Sequence, residues 1–168
     1  TGSKGNGGGM RAPPIGAFFA DASFDTVVRE ATASALPTHR HIEGMVGAVA
    51  IAVATAAICR GDTDDAVWQA TTSQVADSET RTRVEFASRL SPDTTPPLVA
   101  DLLGSGQRVL AEDTVPYCIW CALRGRRANT QGFGYEAALF ATVSGMGDMD
   151  TTCAIVGALI TTYWWALY

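Results

Sequence analysis

The chain has 168 residues, 47% of them hydrophobic and 17% charged, which excludes a disordered segment and allows one domain with a substantial core. Twelve Lys and Arg against 17 Asp and Glu leave a net charge of -5, so no electrostatic drive toward nucleic acid or an anionic membrane is present.

Residues 1–9 read as a loop of Gly, Ser, Lys and Asn, and from Met10 the chain turns apolar through Pro13-Pro14 into Ile15-Gly16-Ala17-Phe18-Phe19. The glycine run belongs where ordinary side chains do not fit. Residues 25–34 have helical composition, with Ser23 or Asp25 as N-cap. Thr38-His39-Arg40-His41 then leads into a long apolar helix over about residues 42–59. Residues 62–75 and 78–90 are further helices, separated by Asp77-Ser78, a pair suited to capping. Residues 91–97, SPDTTPP, read as a surface loop. Residues 114–123 are apolar, 125–134 form a basic, Gly-bearing loop, and 135–144 form another helix. A tight loop at 145–150 precedes a final apolar helix. No alternating run is long enough for a strand, so the expected fold class is all-α, with residues 1–168 in one domain.

Two uncharged stretches bear on membranes. Residues 46–58 fall short of the roughly 20 needed to span hydrocarbon, and residues 153–168 are also apolar. Both are rich in Ala and Gly, which lets helix backbones approach closely, so both read as buried helices. The four cysteines, Cys59, Cys118, Cys121 and Cys153, are too scattered for a disulfide framework and fit a reducing, cytoplasmic setting. Cys118-Ile-Trp-Cys121 lacks a second pair, and its apolar flanks favour core packing over zinc or redox chemistry.

Three segments that open helices carry chemistry. In Gly145-Met146-Gly147-Asp148-Met149-Asp150-Thr151-Thr152, carboxylates at i and i+2 and adjacent hydroxyls offer hard oxygens. They suit Mg²⁺ or Mn²⁺ better than zinc, and they equally suit plain N-capping. In Gly5-Asn6-Gly7-Gly8-Gly9-Met10-Arg11, exposed backbone N–H groups could cradle a phosphate, although no P-loop Gly-Lys-Ser/Thr follows. Thr38-His39-Arg40-His41 holds both histidines of the chain, and each suits either a structural or a ligand role. Asp62-Thr63-Asp64-Asp65 resembles a metal cluster, but its place after Gly61 and before an apolar run fits capping and first-turn acids.

Together these three segments resemble the ADP-ribosylglycohydrolase family. The likeness is carried by the run from Gly5 to Arg11 with Pro13 or Pro14 after it, by Thr38-His39-Arg40-His41 with Gly44 and Gly47-Ala48, and by Gly147-Asp148-Met149-Asp150-Thr151-Thr152 with Ala154-Ile155-Val156-Gly157-Ala158. Their order agrees over nearly the whole chain. The family includes the glycohydrolase that reactivates ADP-ribosylated dinitrogenase reductase. The resemblance implies an all-helical orthogonal bundle, two bound magnesium ions, and hydrolysis of the bond between ADP-ribose and a protein side chain of arginine or serine type. It makes Asp148, Asp150 and Thr151 metal ligands, and it places Asn6, Gly7, Gly8, Gly9, Met10 and His39 in the ADP-ribose pocket. The partner it implies is an ADP-ribosylated protein or a small ADP-ribosyl compound, with no nucleic acid and no membrane.

The chain departs from the family pattern in lacking the early Gly-Asp, the Thr-Asp-Asp cluster and the acidic residue near the reacting bond. These precede the glycine segment in the family, so the catalytic residues are expected upstream of Thr1, and the 168 residues are expected to be an incomplete bundle. Two further expectations follow. The isolated chain should bind Mg²⁺ weakly without turnover, and residues 46–58 and 153–168 should present exposed apolar faces. A non-catalytic relative resembling the lens crystallins built on this fold is the alternative reading, as is a hydrolase of small ADP-ribosyl compounds.

Overall fold

The computed structural model describes residues 2–128 and 134–165, and within them ten helices follow one another with no strand. They are α1 (Gly7–Met10), α2 (Pro13–Phe18), α3 (Phe24–Ala35), α4 (Ile42–Cys59), α5 (Asp64–Gln74), α6 (Glu79–Ala87), α7 (Pro96–Leu103), α8 (Ala111–Ala128), α9 (Gly134–Ser144) and α10 (Met149–Trp165). The all-α expectation holds.

The core is organised around α4, which is apolar on every side. Residues 46–58 are all buried, because α1, α2, α3, α5, α6, α8 and α10 pack around this one helix. Among the described residues α4 alone is long and apolar enough to cross a bilayer, yet 83% of it is buried inside the protein. The expected apolar patch on residues 46–58 is therefore absent. In α10, Ile155, Val156, Leu159 and Ile160 are buried against α8, α9 and α4, so that face is covered through Ile160, and the side chains of residues 164–168 lie outside the described ones.

Small residues set how closely the helices approach. A Cβ at Gly16 of α2 would collide with the Ala52 carbonyl and lie 2.6 Å from Thr55 Cβ, and one at Gly47 would lie 2.7 Å from Ala111 Cβ of α8. Only hydrogen at these positions lets α2 and α8 seat directly on α4.

Caps close the helices where the sequence offers them. Ser23, Thr63 and Ser78 accept from the amides of Thr26, Ala66 and Arg81 at the starts of α3, α5 and α6. At the end of α4, Gly61 has φ +77°, its amide donates to the Ile58 carbonyl, and Asp62 N–H reaches the Ala57 carbonyl. That pair of bonds is a Schellman cap. Asp64 and Asp65 occupy the first turn of α5, and Asp64 pairs with Arg127 Nε at 2.6 Å, so the acidic run is a helix start. Cys118 and Cys121 are fully buried free thiols in α8, in keeping with core packing.

Four boundaries differ from the sequence reading. Gly7–Met10 is a helical turn and not a loop, because packing on α4 outweighs the poor helix propensity of glycine. Pro96 and Pro97 lie in the first turn of α7, where a missing N–H costs nothing, so the loop ends at Thr95. The helix α8 continues through Gly125 to Ala128. A Cβ at Gly125 would sit 2.5 Å from Ala138 Cβ, so close contact with α9 explains this glycine. Residues 129–133 of the expected loop and 166–168 of the last helix lie outside the described residues. Finally, α10 begins at Met149, so Asp150 belongs to its first turn.

Candidate active site

The segment before α1 is stitched to the entry of α8. Gly5 and Leu110 form an isolated antiparallel bridge, Ala111 N–H donates to the Lys4 carbonyl at 2.9 Å, and Asn6 N–H donates to the Val109 carbonyl at 3.2 Å. This stitching buries Asn6, only 4% exposed, between α8 and α10. One amide nitrogen then serves two partners: Asn6 Nδ2 donates to Asp148 Oδ2 at 2.8 Å and to Thr114 Oγ1 at 3.1 Å. Thr114 can accept because its own proton goes to the Leu110 carbonyl at 2.8 Å.

Asp148 is presented by a strained turn. Met146 and Gly147 both have positive φ, at 56° and 88°, and a Cβ at Gly147 would lie 2.5 Å from the Ser105 carbonyl oxygen. The turn rests on the loop before α8, where Asp148 N–H donates to the Ser105 carbonyl at 3.2 Å and Gly106, at φ +87°, passes under the Asp148 side chain. Asp113, itself buried, holds that loop by accepting from Arg108 N–H at 2.7 Å. On the α9 side the Tyr117 hydroxyl donates to the carbonyls of Ala141 and Thr142, and Gly145 leaves room for its ring. Burial alone would raise the Asp148 pKa, but hydrogen bonds from the Asn6 amide and from Thr151 outweigh it and hold the carboxyl below its ordinary range.

His39 stands against the glycine segment that opens α1. Its Nε2 lies 3.4 Å from the positions that Cβ atoms of Gly5 and Gly7 would take, and its Cγ lies 3.5 Å from that of Gly8. Gly44 of α4 passes beneath it, with 3.0 Å between the Gly44 Cβ position and His39 Cβ. Arg11 donates to Thr38 Oγ1, which meets His39 Nδ1 at 2.8 Å. Burial and the Arg11 charge both push the His39 pKa below its usual value. His41, by contrast, is structural: its Nδ1 accepts from Glu43 N–H as the cap of α4.

Of the residues singled out in the sequence, Asn6 meets Asp148, His39 meets the glycines, and Thr151 is buried beside Asp148. Gly7, Gly8 and Gly9 form α1, with Gly8 and Gly9 buried. The Met10 side chain is 45% exposed at the end of α1, and Asp150 is exposed at the start of α10. Sequence reading missed Thr114, Ser105 and Gly106. Gly104-Ser105-Gly106 could have been flagged as a turn, but nothing local distinguishes Thr114 from any other threonine.

As a donor set, Asp148, Asp150 and Thr151 offer two carboxylates and a hydroxyl, hard oxygens that fit a Mg²⁺-type cation. Among the described residues no group of three or more His, Cys, Asp and Glu stands together as a metal cluster.

The three segments joined by these contacts are the ones a known family also combines. Residues 1–164 match the ADP-ribosylglycohydrolase family. A similar protein, an uncharacterised one of Archaeoglobus fulgidus, is 28% identical over 155 residues, which cover 91% of this chain and 47% of that protein. The chain thus spans about half the length of that curated relative. With the match covering the Asn6 segment, His39 and Asp148 alike, the chain belongs to the ADP-ribosylglycohydrolase family.

Proposed function

We propose that this chain carries the ADP-ribose pocket and part of the metal-ligand set of a Mg²⁺-dependent hydrolase that removes ADP-ribose from a protein side chain of arginine or serine type. The observation that carries the reading is the 2.8 Å hydrogen bond from Asn6 to Asp148, which joins the glycine segment to the acidic one. In this reading Asp148, Asp150 and Thr151 hold the cation, for which Mn²⁺ is a substitute. Bound there, the ions supply Lewis acidity that lowers the pKa of a water and offsets charge as the glycosidic bond loosens. The chain's own groups do the positioning. Asn6 holds Asp148 in place through Oδ2, while the missing side chains of Gly7, Gly8 and Gly9 let a nucleotide approach the backbone. His39 lines the pocket beside them.

The test is hydrolysis of ADP-ribosylated protein by the full-length parent protein, with Mg²⁺ present and after chelation. Release of ADP-ribose that stops on chelation supports the proposal. Binding of ADP-ribose without turnover would mark a non-catalytic relative, and turnover of free ADP-ribosyl compounds alone would mark a small-molecule hydrolase. Either of these outcomes overturns the protein-substrate reading.

A further inference from the structure

We infer that Arg11 and Thr38 are positioning residues that fix His39 as the neutral Nε2–H tautomer, making it a hydrogen-bond donor toward the glycine turn and not a general base. The assignment follows from counting protons and lone pairs along one chain of contacts. Arg11 has no acceptor, so the 2.6 Å contact with Thr38 Oγ1 is a donation from guanidinium to hydroxyl, and the same nitrogen donates to the Ser34 carbonyl at 2.6 Å. The Thr38 proton must then go elsewhere, and two acceptors are within reach. The Ala35 carbonyl lies 3.5 Å away and already accepts the amides of Thr38 at 3.1 Å and His39 at 2.8 Å, which uses both of its lone pairs. His39 Nδ1 lies 2.8 Å away and has no other partner. Of the two protein acceptors Nδ1, at 2.8 Å, is the better placed, so the Thr38 hydroxyl donates to Nδ1, which is then the bare nitrogen, and the ring proton sits on Nε2.

That proton faces the place where Gly5 and Gly7 lack side chains, at 3.4 Å from each absent Cβ, with no protein acceptor among the described residues. A base at this position would need a bare Nε2, and the Arg11–Thr38 chain works against it. A proton on both nitrogens is disfavoured as well, because it would set an imidazolium beside the Arg11 guanidinium, a like-charge pair. What the Nε2–H meets, an acceptor oxygen of ADP-ribose, rests on the function proposed above. The tautomer itself belongs to the chain and does not rest on it.

The experiment is a long-range ¹H–¹⁵N correlation spectrum of the ligand-free chain labelled at histidine, at a pH where the rings are neutral. The chain has two histidines, and His41→Gln assigns the signals. The expected result is a pyridine-type shift for His39 Nδ1 and a pyrrole-type shift for Nε2. Thr38 is exposed, so it tolerates exchange. Thr38→Ser keeps the donor and should leave both shifts in place. Thr38→Asp puts an acceptor-only group opposite Nδ1 and should exchange the two shift types. A pyrrole-type Nδ1 in the unsubstituted chain, or shifts that stay put in Thr38→Asp, would overturn the inference. Adding ADP-ribose separates the two claims: an unmoved Nε2–H signal with the expected tautomer counts against the proposed function and leaves the tautomer established.

Discussion

Asn6 and Asp148, 142 positions apart in sequence, share a 2.8 Å hydrogen bond between a buried side-chain amide and a part-buried carboxylate. Because Asn6 is almost fully buried, removing its amide strands both Asp148 and Thr114. Asn6→Ala is expected to destabilise the chain by about 2–3 kcal/mol, the range for losing a buried bond to a charged group. Asn6→Asp should cost more, since it sets two carboxylates face to face. Urea denaturation of the three proteins gives the ranking, and a milder Asp variant would mean that the amide is not what holds Asp148.

Asp150 separates ligation from folding. Its side chain is exposed at the start of α10, so Asp150→Ala should change stability by no more than about 0.5 kcal/mol. Under the proposed function the same substitution in the full-length protein should lower hydrolysis by orders of magnitude, as should Asp148→Ala. Steady-state rates beside melting curves test this, and a wild-type rate in either variant removes that residue from the ligand set.

Two glycines should respond in opposite ways to the same added methyl. Gly16→Ala drives a Cβ into the Ala52 carbonyl and Thr55 of α4, so loss of cooperative folding is expected. Gly61→Ala meets open space and carries only the cost of a positive φ, about 1–2 kcal/mol. Thermal melts of the pair distinguish crowding from backbone strain.

Acid stability should depend on Glu43. Burial pushes its pKa up, but bonds from the Thr80 hydroxyl and amide, the Glu79 amide and the nearby His41 outweigh this and leave it below 4.5. A carboxyl whose folded pKa is depressed stabilises the fold above its unfolded pKa, and that contribution is lost as pH falls through the folded value. Glu43→Gln should therefore lower stability at neutral pH and flatten the acid limb below about pH 4.5, as read from urea midpoints against pH. A parallel downward offset at every pH would show that the carboxylate charge is not what caps α6.

The cysteine pair makes a chemical prediction. Burial raises both thiols of Cys118-Ile-Trp-Cys121, that of Cys121 to about 12, so neither is a thiolate at neutral pH. In the native chain a thiol reagent should modify Cys59 and Cys153, which are partly exposed, and leave the pair untouched until denaturant is added. Rapid labelling of Cys121 in the native state would contradict core packing.

Where local chemistry decides, the sequence was readable. The bounds of α4, the caps at Ser23 and Ser78 and the closing Gly61 follow from hydrophobic run length, hydroxyl placement and glycine after a helix. Where two distant segments decide, it was not. Gly7–Met10 is helical because Gly8 and Gly9 sit against Gly44 and Gly47 of α4, a contact invisible in a run of glycines. Gly125 suggested a loop and is instead a contact point with Ala138. The same holds at the site. Asn6 and Asp148 were legible through the motifs they belong to, whereas Thr114 gains its role only from the bridge that lays Gly5 beside Leu110.

The uniform apolarity of α4 also bears on synthesis. A helix with no polar face has no stable solvated state, and part of its cover arrives late: Cys59 and Met149, the end of α4 and the start of α10, lie 90 positions apart. At ordinary translation speeds that is about 5–20 s during which α1, α2 and α3 are available to cover α4 but α10 is not. The yield of folded chain should therefore depend on how well the face left for α8 and α10 is kept from association until they are made, and not on the equilibrium stability of the finished fold alone.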